Sequence, residues 1–306
     1  MNIKTLVLGI AIVAGTSMAL AQPPGGGRGR GAPPPPAGPI GRLPDGHPDM
    51  QGFWTPPAIT DIEPAAGRGG RGGGRGPAPG GPPPAAAPAR GGFAATGFGG
   101  PGATIETPDG KIPYKPEARA KQQDILNNHM ADEPELHCYP SGVPHSESNQ
   151  FGVQILQTPG YFVQLSEFMH TVRIIPTDGR AHIDPKIRLF QGDPVGHWEG
   201  DTLVVDTTNQ NTKTWFDTSG NFKTEALHVT EKFIPEDANT IRYEATITDP
   251  DIYTQPWTVH WNISRARQTT MSDGHPYEQM EFGCIEGNED LQHYTVDKGG
   301  KQPKKR

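Results

Sequence analysis

Cysteine is nearly absent from this 306-residue chain, which holds only Cys138 and Cys284. That excludes a disulfide-dense scaffold and any metal centre built on clustered thiolates. Positive charge is in deficit, with 27 Lys and Arg against 34 Asp and Glu, for a net charge of −7. A general nucleic-acid binder, which needs a cationic surface to neutralise phosphates, is therefore not expected. No long apolar run suits a membrane span: the stretch from Leu6 to Leu20 is short and broken by Gly9, Gly15, Thr16 and Ser17. The HExxH and GxSxG motifs, a Walker loop and a dinucleotide fingerprint are missing, and the eleven histidines are scattered. Neither a metal nor a cofactor is expected.

Glycine and proline are abundant, at 40 and 34 residues. They crowd residues 22–100, in runs such as Pro33–Pro36, Gly67–Gly76 and Pro82–Pro88. A segment so poor in apolar area cannot offset its ordering entropy and is expected to be a disordered arm. Its Gly-Arg repeats resemble RGG boxes, but export makes a spacer the better reading. Within the arm, Pro48–Trp54 carries adjacent aromatics, so 48–56 is expected to dock on the folded domain. Residues 1–21 read as a signal peptide: Lys4, an apolar core, and Ala19-Leu20-Ala21 as cleavage site. The mature protein is expected to start at Gln22 and to be periplasmic or secreted. The basic end, residues 298–306, reads as a frayed tail. Cys138 and Cys284 are either two buried thiols or one disulfide. An oxidising compartment favours the disulfide, worth roughly 4–5 kcal/mol in the chain-entropy model for a loop this long.

Residues 101–297 have the composition of a folded β-domain. Pro116 to about Asn128 reads as one short helix with Ala118, Ile125, Leu126 and Met130 available for docking. Strand signals recur near 151–157, 161–166, 170–176, 186–191, 195–199, 202–207, 226–234, 240–248, 256–264 and 277–284, separated by turn residues. The clearest is Gly196–Asp206, two strands joined by the Gly200-Asp201 turn. Short strands without intervening helices imply a mainly β fold: an antiparallel barrel of lipocalin or calycin type, or a β-sandwich.

Four motifs carry a family resemblance: Pro48–Trp54 (a PDLSGVW-like opening), Gly196–Thr207 (GHWEGDTLVVDT), His228–Phe233 (HVTERF-like, with Lys232 in place of Arg) and Asp249–Thr258 (DPxxYTxPWT). The chain resembles a family of bacterial secreted proteins of uncharacterised activity over roughly 48–56 and 106–295. The resemblance implies the domain limits and marks 64–100 as an insertion, without implying a reaction.

Strand alternation places polar residues beside apolar ones. Tyr161, Val163, Leu165 and Glu167 share one face, and a Phe168-Met169 turn would set Glu167 opposite His170, which shares its face with Val172 and Ile174. Glu231 lies between Val229 and Phe233. A carboxylate–imidazole pair and a second carboxylate on an apolar face suit acid–base catalysis, so Glu167, His170 and Glu231 are the candidate catalytic residues; a structural ion pair is the plainer alternative. Tyr161, Trp198, Tyr243, Trp257 and Trp261 are the candidate ligand-binding residues, because aromatics inside a barrel can line a small-molecule cavity. His197 and Glu199 point to the other side of their hairpin and read as a solvated face. His145-Ser146-Glu147 suits either a pocket mouth or a surface turn.

The function expected is an exported barrel binding a small apolar or aromatic molecule in its interior. The alternatives are a cofactor-independent lyase, isomerase or hydratase using the Glu/His pair, and a structural module of the cell envelope. Oligomeric state is not legible.

Overall fold

The computed structural model describes residues 37–63, 103–149, 151–266, 275, 278–280 and 282–284. The signal peptide, residues 64–100 of the arm, the basic tail and part of the expected 277–284 strand lie outside the described residues. The elements are β1 (Gly52–Thr55), β2 (Thr104–Ile105), α1 (Pro116–Asn128), β3 (Val153–Thr158), β4 (Tyr161–Ser166), β5 (Val172–Pro176), β6 (Asp193–Glu199), β7 (Thr202–Thr208), β8 (His228–Asp237), β9 (Thr240–Thr248) and β10 (Trp257–Arg265). The strands form one antiparallel sheet in the order β5-β4-β3-β1-β10-β9-β8-β7-β6, with β2 added on β10. The fold is a nearly closed antiparallel barrel with one α-helix among the described residues.

The hairpins form where turn chemistry and alternation agree. Glu199 pairs with Thr202 across Gly200-Asp201, and Gly200 takes the positive φ (+60°) that the first position of a tight two-residue turn demands. Trp257, Val259, Trp261 and Ile263 of β10 face inward beside Ile241, Tyr243, Ala245 and Ile247 of β9, and all eight are buried.

The Pro48–Trp54 island does more than dock. Its strand β1 pairs with β3 on one side and β10 on the other, joining the β3–β5 meander to the β6–β10 meander. Trp54 is fully buried, donates from Nε1 to the Met50 carbonyl at 2.8 Å, and lies under the Arg265 guanidinium. In α1 the docking face is Ala118, Gln122 and Ile125, at helical spacing; Leu126 is exposed. The strand expected at 186–191 does not form. Asn209 Nδ2 donates to the carbonyls of Asp184 and Ile187, and these bonds fold the segment as a loop instead.

The main departure is in the β4–β5 hairpin, where the alternation is inverted. Tyr161, Val172 and Ile174 are 46%, 54% and 55% exposed, whereas Gln164 and Arg173 are each 4% exposed. Tyr161, Val172 and Ile174 thus face outward, and Gln164 and Arg173 face inward beside Phe162 and Ile175.

The barrel closes where β5 and β6 lie side by side without a backbone ladder. Gly196 of β6 makes that approach possible: a Cβ there would lie 3.0 Å from Ile175 Cγ2 and 3.3 Å from Thr177 Cγ2. The interior is filled. Phe162 of β4 reaches Phe233 of β8 across the barrel, with ring centroids 5.5 Å apart. Phe233 packs edge-on against Tyr243, which packs against Trp261. Phe233, Tyr243, Leu203 and Val205 are 0% exposed, so no water-sized void touches them.

Candidate functional site

The inward polar residues of the inverted hairpin meet at one end of the barrel. Arg173 Nη1 donates to Glu231 Oε1 at 2.9 Å, and Nη2 donates to Glu231 Oε2 and to Thr207 Oγ1. Thr207 Oγ1 and Tyr243 Oη each donate to Glu231, at 2.7 and 2.9 Å. A second carboxylate comes from the 3₁₀ turn His145–Glu147. Glu147 Oε1 lies 3.3 Å from Arg173 Nη1, and Gln164 Nε2 donates to Oε2 at 2.9 Å. Trp261 Nε1 fixes this turn by donating to the Glu147 carbonyl at 2.7 Å.

One guanidinium thus serves two buried carboxylates. Burial pushes the Glu147 carboxyl up to about 7; Arg173 opposes that shift and the charge of Glu231 adds to it. Glu147 and Arg173 line a recess of about 10 Å³ together with Ser146, Val153, Gln164, Ser166, Thr171 and Gln191. That is room for about one water-sized group. Arg173 Nε is buried and makes no hydrogen bond to the protein. Hydroxyls, amides, a guanidinium and a carboxyl titrating near neutrality can hold one hydrogen-bonding group and exchange a proton with it.

The three expected catalytic residues are not brought together. Glu231 is in the buried cluster. The turn falls at Met169-His170, both at positive φ (+53° and +51°), and not at the expected Phe168-Met169. Glu167 precedes it, and its carboxylate accepts from Gly152 N and Met280 N, both at 2.8 Å. His170 is itself in the turn, with its backbone N–H directed at the Glu167 carbonyl, and it is exposed. The reason is the turn register: with Met169 and His170 as the turn residues, His170 precedes β5 and does not share a strand face with Val172 and Ile174.

Of the expected ligand-binding aromatics, Tyr243, Trp257 and Trp261 are core filling, at 0–2% exposure. Tyr161 points outward. Trp198 is covered by the N-terminal segment: His47 stacks on it at 4.3 Å and 11°, and Arg42 grips Asp201 of the adjoining turn with two hydrogen bonds. His197 and Glu199 form an exposed pair at 3.1 Å. Cys138 and Cys284 are joined as a disulfide with Cα atoms 5.6 Å apart. Among the described residues no group of three or more His, Cys, Asp or Glu is placed to hold a metal ion. No described helix is long and apolar enough to cross a membrane.

Sequence reasoning found Glu147 only as one of two readings of a loop, and it missed Arg173, Gln164 and Thr207. The available signal was an arginine between Val172 and Ile174 in a run otherwise suited to a strand.

No protein-family model and no curated protein matches the chain. Crystal structures of two mutants of the fluorescent protein UnaG are similar at 15% identity, over 45% of this chain and 89% of theirs, with a TM-score of 0.24. At that level the likeness carries no argument about the site.

Proposed function

We propose that this is an exported barrel protein that binds a small polar molecule at the barrel mouth, over Glu147 and Arg173, and not an apolar guest in its centre. The observation that carries this reading is the buried Arg173 Nε, which has no hydrogen-bond partner, in a residue that lines a recess together with Glu147, three hydroxyl side chains, two amides and Val153. A buried donor without an acceptor costs roughly 1–3 kcal/mol, and a ligand oxygen reaching the recess would recover it. Because the recess takes only one such group, the body of the ligand lies outside it. Export rests on Lys4, the apolar core and the Ala19-Leu20-Ala21 site; N-terminal sequencing of the exported protein should begin at Gln22.

Calorimetric titration with polyols and small amides, beside fatty acids and aromatic dyes, tests the binding reading. Polar probes should bind the wild type and bind Glu147→Gln at least about tenfold more weakly, since one charge-assisted hydrogen bond is worth about 1.5–3 kcal/mol. Saturable binding of the apolar probes alone would reject it. No binding of either class would leave a filled structural barrel.

An acid–base enzyme is the second reading, favoured by one observation: the Glu147 carboxyl is raised to about 7 beside a guanidinium. Its rate would turn over with pH near that value, and Glu147→Gln would abolish turnover.

A further inference from the structure

The chain from Thr177 to Gly192 crosses the junction of β5 and β6, the one place in the strand path without a backbone ladder. A chain of charged side chains on the outer face of the barrel holds it there. His182 Nδ1 lies 2.8 Å from Asp193 Oδ2 on β6, and Nε2 lies 2.9 Å from Asp206 Oδ2 on β7. Asp193 also accepts from Ile183 N and from both Arg180 Nη atoms. Asp206 meets His228 Nε2 from β8. Asp193 and Asp206 are the charged groups acting on His182, and Arg180, itself influenced by Asp178 and Tyr161, and His228 share those two carboxylates with it.

We propose that the 177–192 connection is a proton-operated strap over the barrel seam, closed while His182 is an imidazolium and released when it loses its proton. A neutral imidazole has one N–H and cannot donate to two carboxylates at once. Loss of the proton therefore breaks one of the two pins and leaves an acceptor nitrogen facing a carboxylate. Burial lowers the affinity of His182 for its proton, but hydrogen bonds to Asp206 and Asp193 and their charges outweigh that, so the group is raised. The far end of the strap covers something of consequence. Leu189 zips onto Asn209 and Asn211, and Gln191 lines the recess. A Cβ on Gly142 would stand 2.4 Å from Lys223 Nζ and 2.9 Å from the Phe190 carbonyl oxygen, which places this amine directly beneath the strap. Release would widen the recess and uncover an amine that is 4% exposed. The strap stands on its own contacts, whatever the recess binds.

Hydrogen–deuterium exchange of the full chain reads the strap directly through the amides of Ile183, Ile187 and Leu189, all hydrogen-bonded in the closed form. The amides of β9 serve as the control for global unfolding. After correction for intrinsic rates, strap opening in the wild type should rise by up to about tenfold per pH unit from about pH 6.5 to the raised His182 value, then level off. His182→Gln, which cannot bridge two carboxylates as a cation, should be open throughout with β9 unchanged. His182→Arg, a permanent cation, should stay closed throughout. Wild-type strap protection that does not vary with pH, or a His182→Arg protein that opens with pH as the wild type does, would overturn the proposal.

Discussion

Arg173 of β5 and Glu231 of β8, 58 positions apart in the chain, form a buried two-point ion pair that spans the barrel seam from inside. Desolvating both charges is costly, and the forked geometry with Thr207 and Tyr243 as further partners is what makes the pair tolerable. Without Arg173, Glu231 keeps only the hydroxyls of Thr207 and Tyr243; without Glu231, Arg173 keeps only the longer contact to Glu147 at 3.3 Å. Glu231→Leu or Arg173→Met alone should therefore cost roughly 3–5 kcal/mol in urea unfolding. The double variant should lose less than the sum of the two, as coupled neighbours do. Strict additivity would mean that the pair is not an energetic unit.

Gly196 is required by space alone, since its φ is unexceptional. Gly196→Val would push against Ile175 and Thr177 across the seam. Overpacking of this kind should cost roughly 1–3 kcal/mol without changing the hairpin, measurable as a lowered melting temperature with unaltered far-ultraviolet circular dichroism.

Trp54→Ala removes a fully buried side chain from the strand that joins the two meanders. It should destabilise by about 3–5 kcal/mol. An unchanged denaturant midpoint would mean that β1 is an appendage and not part of the barrel wall.

Glu147 is an acid raised by burial from 4.5 to about 7, so the folded protein holds its proton more tightly than the unfolded chain. Its contribution to stability is complete below pH 4.5 and is lost as pH rises through about 7. Glu133 and Asp61, raised mainly by burial to about 7 and about 6, slope the same way. The difference between wild type and Glu147→Gln isolates one residue. It should change across that window by at most about 3 kcal/mol and be flat above it.

Lys223 is lowered by burial from 10.5 to about 7, and its Nζ donates to Gln210 Oε1 at 2.6 Å. The unfolded chain binds its proton more tightly, so the penalty is complete below about 7 and stability climbs from there to 10.5. Lys223→Met should lack that climb. Parallel slopes for the two proteins in denaturant titrations at several pH values would refute the assignment.

The sequence was sufficient for the hairpin at Gly200-Asp201, the helix from Pro116, the strand spacing, and the inward placement of Glu231, Tyr243 and Trp261. Each follows from a local rule: turn chemistry, a proline-led helix start, or an apolar period of two. It could not say that Trp54 belongs to a strand between β3 and β10, because the pairing partners lie about a hundred and two hundred positions away. Nor could it orient the β4–β5 hairpin. Alternation sorts side chains into two faces but does not say which face is inside, and the apolar face of Tyr161, Val172 and Ile174 is the misleading choice. Arg173 and Gln164 go in because Glu231, Thr207 and Glu147 converge on them from three other segments. A buried charge is tolerated only where partners meet it, and only the closed barrel brings those partners within hydrogen-bonding distance.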